Sequence, residues 1–151
     1  MRRKDREITD RAEIDAILNE APVCRIGLAD DGDPYGIPVS FGYGDSSIYI
    51  HSAHEGKTIA LLSKNPRCCF EVDVCDQVIR DDKPCSWGML YRSVIGFGSA
   101  EILTDPEEKR HGFNCIMRHY GGGTHEFSEH DIGSVTVIRI AVESMTGKNH
   151  D

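Results

Sequence analysis

The sequence predicts a mainly β protein with a single domain over residues 1–151, built as an antiparallel barrel with a few peripheral helices. Three observations predict this class. About six segments have the pattern of short strands separated by turn residues. Only three segments place apolar residues at helical spacing. The length of 151 residues suits one domain core and leaves little for a second. Such a sheet is expected to close, or nearly close, with the helices covering its ends.

The first half of the chain predicts a helix, three strands and a second, short helix. Asp10 with Glu13 three residues later has the pattern of a capping box, and the helix that follows is expected to stop at Pro22. Turn-forming residues separate the three strands, which are expected to form an antiparallel meander. The predicted strands cover residues 23–28, 35–43 and 48–52. The short helix is expected to end at Asn65 and Pro66.

The second half predicts a fourth, fifth and sixth strand, over residues 68–75, 91–103 and 134–143. The polar segment 76–86 is expected to be a loop. Gly96 and Gly98 in the long fifth strand indicate a bulge or bend. Asp105 followed by Pro106 is a strong helix start, and the glycine triplet 121–123 is expected to end that helix and open a mobile loop. A barrel of this size is filled by its own side chains, so a cofactor must lie outside it, and a dimer seam would shelter it.

The composition excludes several classes of function. The net charge of −8 argues against binding to a nucleic-acid backbone. No segment approaches the roughly 18 apolar residues of a membrane span, and the charged start lacks the apolar segment of a signal peptide. We therefore expect a cytoplasmic protein without a nucleic-acid or membrane partner. Its six cysteines are expected to be reduced and mostly buried, since no CxxC pair is present.

The first candidate binding segment surrounds Pro38. Because proline cannot donate a ladder hydrogen bond, its presence in a strand indicates an edge or a bulge. The backbone groups of Val39 and Ser40 beside it are then free to bond the rim of a planar ligand. A plain edge strand without a ligand is the alternative.

The second candidate segment is the predicted strand-to-helix junction that contains His51, Ser52 and Lys57. Small residues there let backbone amides approach an anion, and a helix N-terminus attracts negative charge. With Ser52 donating and Lys57 adding a full charge, the segment predicts a phosphate cradle. An ordinary loop with a surface lysine is the alternative. No metal site is predicted, because no carboxylate or third histidine has a spacing that matches the two histidines His51 and His54.

The third candidate segment begins at Trp87, the only tryptophan, and includes Tyr91, Arg92 and Ser93. It combines aromatic rings that can stack with a charged hydrogen-bond donor. A core or interface aromatic beside a surface arginine is the alternative.

Together these segments resemble the pyridoxamine 5′-phosphate oxidase-like superfamily of FMN-binding split β-barrels, and more narrowly its nitroimidazole-resistance branch. The resemblance covers nearly the whole chain and depends on the order and spacing of several short segments. Those segments are residues 1–8, 38–43, 49–53, 55–57, 65–67, 70–73, 91–96 and 146–148.

The resemblance implies a homodimer with two flavin sites at its seam, with FMN preferred over FAD or haem as the cofactor. It implies contacts of the 38–41 segment with the isoalloxazine rim and of the 51–57 segment with the ribityl phosphate. The third segment would lie near the site, contributed by either subunit. The implied cofactor-binding residues are Pro38, Val39, Ser40, Phe41, His51, Ser52, Lys57, Trp87, Arg92 and Ser93.

The implied activity is that of a flavin-dependent oxidoreductase, which transfers two electrons from NAD(P)H to a small acceptor such as a nitroaromatic. His51 is the candidate proton donor, because imidazole titrates near neutral pH; a hydrogen bond to the ribityl chain is its alternative role. Three other functions remain open: a haem-binding or haem-handling protein, a pyridoxamine phosphate oxidase-like enzyme, and a structural or regulatory dimer without a ligand.

Overall fold

The computed structural model describes residues 3–150; Met1, Arg2 and Asp151, which belong to the predicted domain, lie outside the described residues. Within residues 3–150, four α-helices are present: α1 (Arg11–Glu20), α2 (Lys57–Lys64), α3 (Pro106–His119) and α4 (Glu129–Gly133). Eight strands are present: β1 (Glu7–Ile8), β2 (Cys24–Asp30), β3 (Asp33–Val39), β4 (Phe41–Gly44), β5 (Ser47–Ser52), β6 (Arg67–Ile79), β7 (Gly88–Ile102) and β8 (Thr136–His150).

Side-chain caps lie at the starts of α1, α3 and α4. Asp10 accepts a hydrogen bond from the N–H of Ala12 at 2.8 Å, and Asp105 accepts from the first-turn amides of α3 at 2.9 and 3.0 Å. Helix α4 lies in the segment predicted to be a mobile loop, because Ser128 and Asp131 form a capping box there. Within residues 3–150, the helices lack the length and apolar character that crossing a membrane requires.

All strands pair antiparallel in one sheet with the order β3-β2-β6-β7-β8-β5-β4, and β1 pairs with the far end of β8. The sheet rolls up without closing, which confirms the predicted mainly β split barrel. The number of strands exceeds the predicted figure of about six because β1 adds a two-residue strand and the predicted strand 35–43 is two strands.

The predicted meander is wrong, because the chain breaks at Ser40 and places β3 and β4 at opposite edges of the sheet. β3 pairs with β2, whereas β4 pairs with β5. A single residue connects the two strands, and consecutive Cα atoms are only about 3.8 Å apart. The two edges of the rolled sheet must therefore approach each other at Ser40.

The hairpin of β6 and β7 is longer than predicted. β6 continues to Ile79 after a bulge between Cys75 and Gln77, so residues 76–79 are strand rather than loop. Cross-strand partners in this extension include Val78 and Met89, which are both largely exposed. We call residues 75–91 the arm. β8 also extends beyond the predicted residue 143, because it pairs with β7 as far as His150.

The barrel interior is filled by its own side chains, as the sequence predicts. Helices α1 and α2 contribute apolar residues to this core, and a second cluster lies between α3 and β5. The largest fully buried side chains include Phe41, Phe70, Ile17, Leu18, Ile26, Ile48, Ile50, Ile138 and Ile140. A bulge is present beside Gly98, but its extra residue is Glu143 of β8, because Phe97 pairs with Ser144 and Gly98 with Val142. Gly96 is required by close packing, since a Cβ there would come within 2.2 Å of the Phe70 ring.

The six cysteines are all free, but only Cys24, Cys68 and Cys115 are buried. The expectation that most are buried is wrong for Cys75 and Cys85, because the arm and its loop are exposed. Burial raises the pKa of Cys24 to about 12 and the pKa of Cys68 to about 11. These two thiols therefore stay protonated at neutral pH.

Candidate functional site

The first predicted segment lies at the junction between β3 and β4. Pro38 is exposed on the edge strand β3 opposite Arg25, which confirms the predicted edge position. Val39 is half-buried and packs against the main core, and Ser40 is exposed. Phe41 is fully buried, and its backbone N–H donates to the Tyr120 hydroxyl at 3.2 Å. The Phe41 ring therefore belongs to the core and is not available to a ligand.

The second predicted segment lies beside this junction. β4 pairs with β5, and Phe41 lies opposite Ile50. Ser40 precedes Phe41 and His51 follows Ile50, so Ser40 and His51 are neighbours at this end of the strand pair. Successive side chains of a strand point to opposite faces. His51 accordingly faces α3, with its ring 6.4 Å from that of Phe113, whereas Ser52 faces the barrel side. The structure brings His51 and Ser52 to one end of the sheet but on opposite faces.

His51 lines a groove of about 460 Å³ between α3, residues 125–127 and the turn after α4. Phe113 and Phe127 form an aromatic wall, with ring centroids 5.1 Å apart. Met117 and Val135 add to the apolar part of the lining, and Glu126 and Asp131 add two carboxylates. The groove can therefore take a small planar molecule next to a histidine that is able to exchange a proton.

Lys57 is the first residue of α2, and Gly56 before it has a φ of 133°, a conformation that favours glycine. The Lys57 ammonium group lies 4.6 Å from the centroid of the Tyr35 ring, which belongs to β3. Within the described chain, Gly56 provides no side-chain cap for the first-turn amides of α2. Those amides and the Lys57 charge are therefore open to an anion.

Within one chain, the third predicted segment lies away from the first two segments. Trp87 is 54% exposed on the arm, and its indole N–H donates to the Asp81 carbonyl at 2.7 Å. Ser93 lies on β7, which β6 and β2 separate from the edge strand β3. Three strand spacings of about 4.8 Å put Ser93 roughly 14 Å from that edge along the sheet.

Arg92 is engaged within its own chain. Its guanidinium donates two hydrogen bonds of 3.0 Å to Glu20 and bonds of 3.0 and 2.7 Å to Asp76. Hydrogen bonds to Asp76 and then to Glu20 raise the pKa of Arg92 above its already high value. The residue thus fixes the base of the arm against α1, which makes it a poor candidate for binding a phosphate from the same subunit.

Tyr120 is a neighbour of the site that the sequence does not indicate. Its hydroxyl donates to the Pro22 carbonyl at 3.0 Å and accepts from Phe41, while its ring stays 46% exposed beside Ser40. In the sequence it is only the last aromatic residue on the apolar face of a helix. Its distance of 79 residues from Phe41 hides the contact.

His119 is a titratable group packed beneath the same junction. Its ring lies 4.2 Å from that of Phe41, and its Nε2 atom bonds the Ala21 carbonyl at 2.8 Å. The Nδ1 atom is buried and has no hydrogen-bond partner within residues 3–150. Burial lowers the pKa of His119, and the bond to Ala21 opposes this only in part. The native protein therefore prefers the neutral imidazole.

The His119 environment predicts a loss of stability in acid. Because the folded pKa lies below the unfolded value of 6.5, the unfolded chain takes up a proton first as the pH falls. The contribution is complete above the unfolded pKa and is lost as the pH falls through the folded one. Urea unfolding between about pH 7.5 and 5 is expected to show a steeper loss for the wild type than for His119→Gln. Parallel pH profiles would contradict this assignment.

The described residues 3–150 contain no group of three or more His, Cys, Asp or Glu side chains that could hold a metal ion. The site elements are therefore an edge strand with a free rim, an uncapped helix start with one lysine, and an aromatic groove lined by the two histidines His51 and His125. They lie on a split barrel, a fold whose interior leaves no room for a ligand.

The fold and these elements define a protein of the split-barrel class, and sequence comparison identifies the family. The profile of the pyridoxamine 5′-phosphate oxidase family matches residues 10–149. The chain belongs to this family, which confirms the resemblance found in the sequence. No curated protein sequence matches the chain.

Solved structures agree with this assignment. A Bacteroides thetaiotaomicron protein, provisionally assigned to 5-nitroimidazole antibiotic resistance, is 34% identical with a TM-score of 0.84, and the match covers 94% of this chain and 85% of that one. A FAD-binding protein from Mesorhizobium loti is 25% identical, with a TM-score of 0.73 and coverage of 97% and 98%. A FAD- and haem-binding protein from Mycobacterium smegmatis, at 20% identity, shares the fold, with a TM-score of 0.86 and coverage of 97% and 74%.

Proposed function

We propose that this protein is an FMN-binding flavoprotein that acts as a homodimer and transfers electrons from NAD(P)H to a small acceptor such as a nitroaromatic compound. The observation that carries the proposal is that both predicted binding segments lie beside the edge strand β3, one at the end of the strand and the other at Tyr35, roughly 16 Å back along it. Ser40 follows the edge strand and lies next to His51, and Lys57 lies against Tyr35 of the same edge strand. One segment suits a ring rim, and the other suits a phosphate.

The start of α2 supports the phosphate end of this site. A flavin mononucleotide carries a dianionic phosphate, whereas the chain has a net charge of −8, so binding needs a local positive site. The uncapped amides of the first turn of α2 and the ammonium of Lys57 together form such a site. We expect Ser52, at the end of β5, to donate an additional hydrogen bond to the phosphate.

The exposed face of the sheet supports a dimer. Ile95 and Phe97 point to the same side of β7 and are 48% and 45% exposed. Beside them is a mostly apolar cavity of about 490 Å³, lined by Gly27, Pro34, Gly36 and Cys69 among others. Exposed apolar surface of this kind is typical of an interface. A second copy would cover this face and could bring its arm, with Trp87, and the adjoining β7 residues Arg92 and Ser93 to the partner's flavin site.

The residues of this chain have defined tasks in the proposed reaction. Bound flavin supplies the two-electron chemistry. The edge residues Pro38 to Ser40 orient its ring, and Lys57 holds its phosphate. His51 holds or moves a proton at the mouth of the groove. Phe113 and Phe127 exclude water from the groove and give the acceptor an aromatic wall.

Purification under mild conditions, followed by a visible spectrum and identification of the released chromophore, tests the proposal. We expect two broad flavin bands and release of FMN. A sharp Soret band would instead favour the haem-binding alternative, to which the fold shared with a FAD- and haem-binding protein is relevant. A colourless protein that takes up neither FMN nor haem would contradict both and leave the structural or regulatory dimer. If FMN is bound, oxidation of NADPH in the presence of a nitroaromatic acceptor measures turnover.

A further inference from the structure

His54 lies in the loop that connects β5 to α2, and its two ring nitrogens are hydrogen-bonded to the last residue of α4 and the first residue of β8. Nδ1 is 3.1 Å from the hydroxyl of Thr136, and Nε2 is 3.0 Å from the carbonyl of Gly133. The Gly133 carbonyl can only accept, so Nε2 donates to it, and the Thr136 hydroxyl is the partner of Nδ1. Both ring nitrogens therefore have a partner within the protein.

These two bonds fix the middle of the 53–56 loop. One end of the loop is held by β5, where Ser52 pairs with Thr136, and the other end is held by the start of α2. Between them the chain passes through Gly56, whose φ of 133° indicates a conformation that few residues adopt. Thr136 is 8% exposed and is the first residue of β8, so His54 attaches the loop to the sheet.

We propose that His54 is a positioning residue that holds the start of α2, with Lys57, in the geometry that receives the ligand's phosphate. The inference rests on the proposed flavin function and adds to it a determinant of phosphate recognition. His54 bonds protein groups through both nitrogens, so it acts through the loop and not on the ligand. A loop that is ordered before binding loses less conformational freedom on binding, which strengthens affinity.

The phosphate gives the test its selectivity. FMN and riboflavin share the ring and the ribityl chain and differ only in the phosphate. Loss of the His54 bonds should therefore weaken FMN binding and leave riboflavin binding nearly unchanged. A general loss of structure would weaken both ligands equally.

Flavin fluorescence titrations of the full-length protein measure the two dissociation constants. For His54→Ala we expect the FMN constant to rise by about tenfold, the scale of one or two lost hydrogen bonds, and the riboflavin constant to change by less than about twofold. His54→Gln, whose amide can still donate to Gly133, should recover part of the FMN affinity. His130→Ala, at an exposed histidine of α4, is the matched control and should change neither constant.

Equal weakening of FMN and riboflavin in His54→Ala, or no weakening of FMN, would overturn the inference while FMN binding by the wild type stands. If the wild type binds neither flavin, the proposed function fails, and this inference fails with it. If His54→Ala does not fold, Thr136→Val removes one partner and keeps the histidine. It should then lower the FMN affinity selectively, and an unchanged ratio of the two constants would overturn the inference.

Discussion

Lys57→Ala is expected to raise the dissociation constant for FMN by at least about tenfold, because a lost charged hydrogen bond costs roughly 1.5–3 kcal/mol. Lys57 is the cation at the start of α2, and its ammonium lies against the Tyr35 ring of the edge strand β3. Riboflavin lacks the phosphate, so its affinity should change little. Fluorescence titration of both ligands against wild type and variant measures the two effects.

Lys64→Ala is the matched control for this prediction. Lys64 ends the same helix, and its ammonium lies 3.6 Å from a carboxylate oxygen of Asp30. Its removal also lowers the positive charge by one but leaves the helix start intact. Equal loss of FMN affinity in the two variants would show that Lys57 acts only through net charge. An unchanged affinity in Lys57→Ala would remove Lys57 from the site.

Phe97→Glu is expected to convert a dimer into a monomer and to release the flavin. Phe97 is 45% exposed beside Ile95 on the apolar face of β7, and a carboxylate at the centre of an interface cannot be buried without a large desolvation cost. Because the proposed flavin site needs the arm of the partner subunit, the variant should lose bound FMN as well. Light scattering and the absorbance ratio of flavin to protein measure the two outcomes.

Ala16→Glu controls for the added charge. Ala16 is exposed on α1, on the side of that helix away from its buried residues Ile14, Ile17 and Leu18. This variant should remain a dimer that retains FMN. A dimeric Phe97→Glu protein would show that the apolar face of β7 is not the seam.

The class of fold could be predicted from the sequence because local signals agree with the final structure. Asp10 and Asp105 cap helices as expected, and Gly98 lies beside a bulge, as the glycines of β7 indicate. The break at Ser40 could not be predicted, since residues 35–43 have a continuous strand pattern. The segment becomes two strands at opposite edges only because the whole sheet rolls up, and that roll depends on the entire chain.

The candidate site was predictable in part. Local chemistry indicates both Pro38 and Lys57. Pro38 has no backbone N–H to donate, and Lys57 carries a positive charge at the start of a helix. The positions of Tyr120 and His54 depend on contacts across 79 and 82 residues, which no local pattern encodes. The burial of Phe41 and the ion pairs of Arg92 with Glu20 and Asp76 likewise arise only when distant segments pack.

The assembly state of the FMN-loaded protein tests the central claim most directly: two barrels shelter a phosphorylated flavin between them. Light scattering combined with flavin absorbance gives the mass and the ligand count in one measurement. We expect a mass about twice the 16.8 kDa of one chain, with one FMN for each chain. A particle of 16.8 kDa that takes up no FMN would contradict the claim.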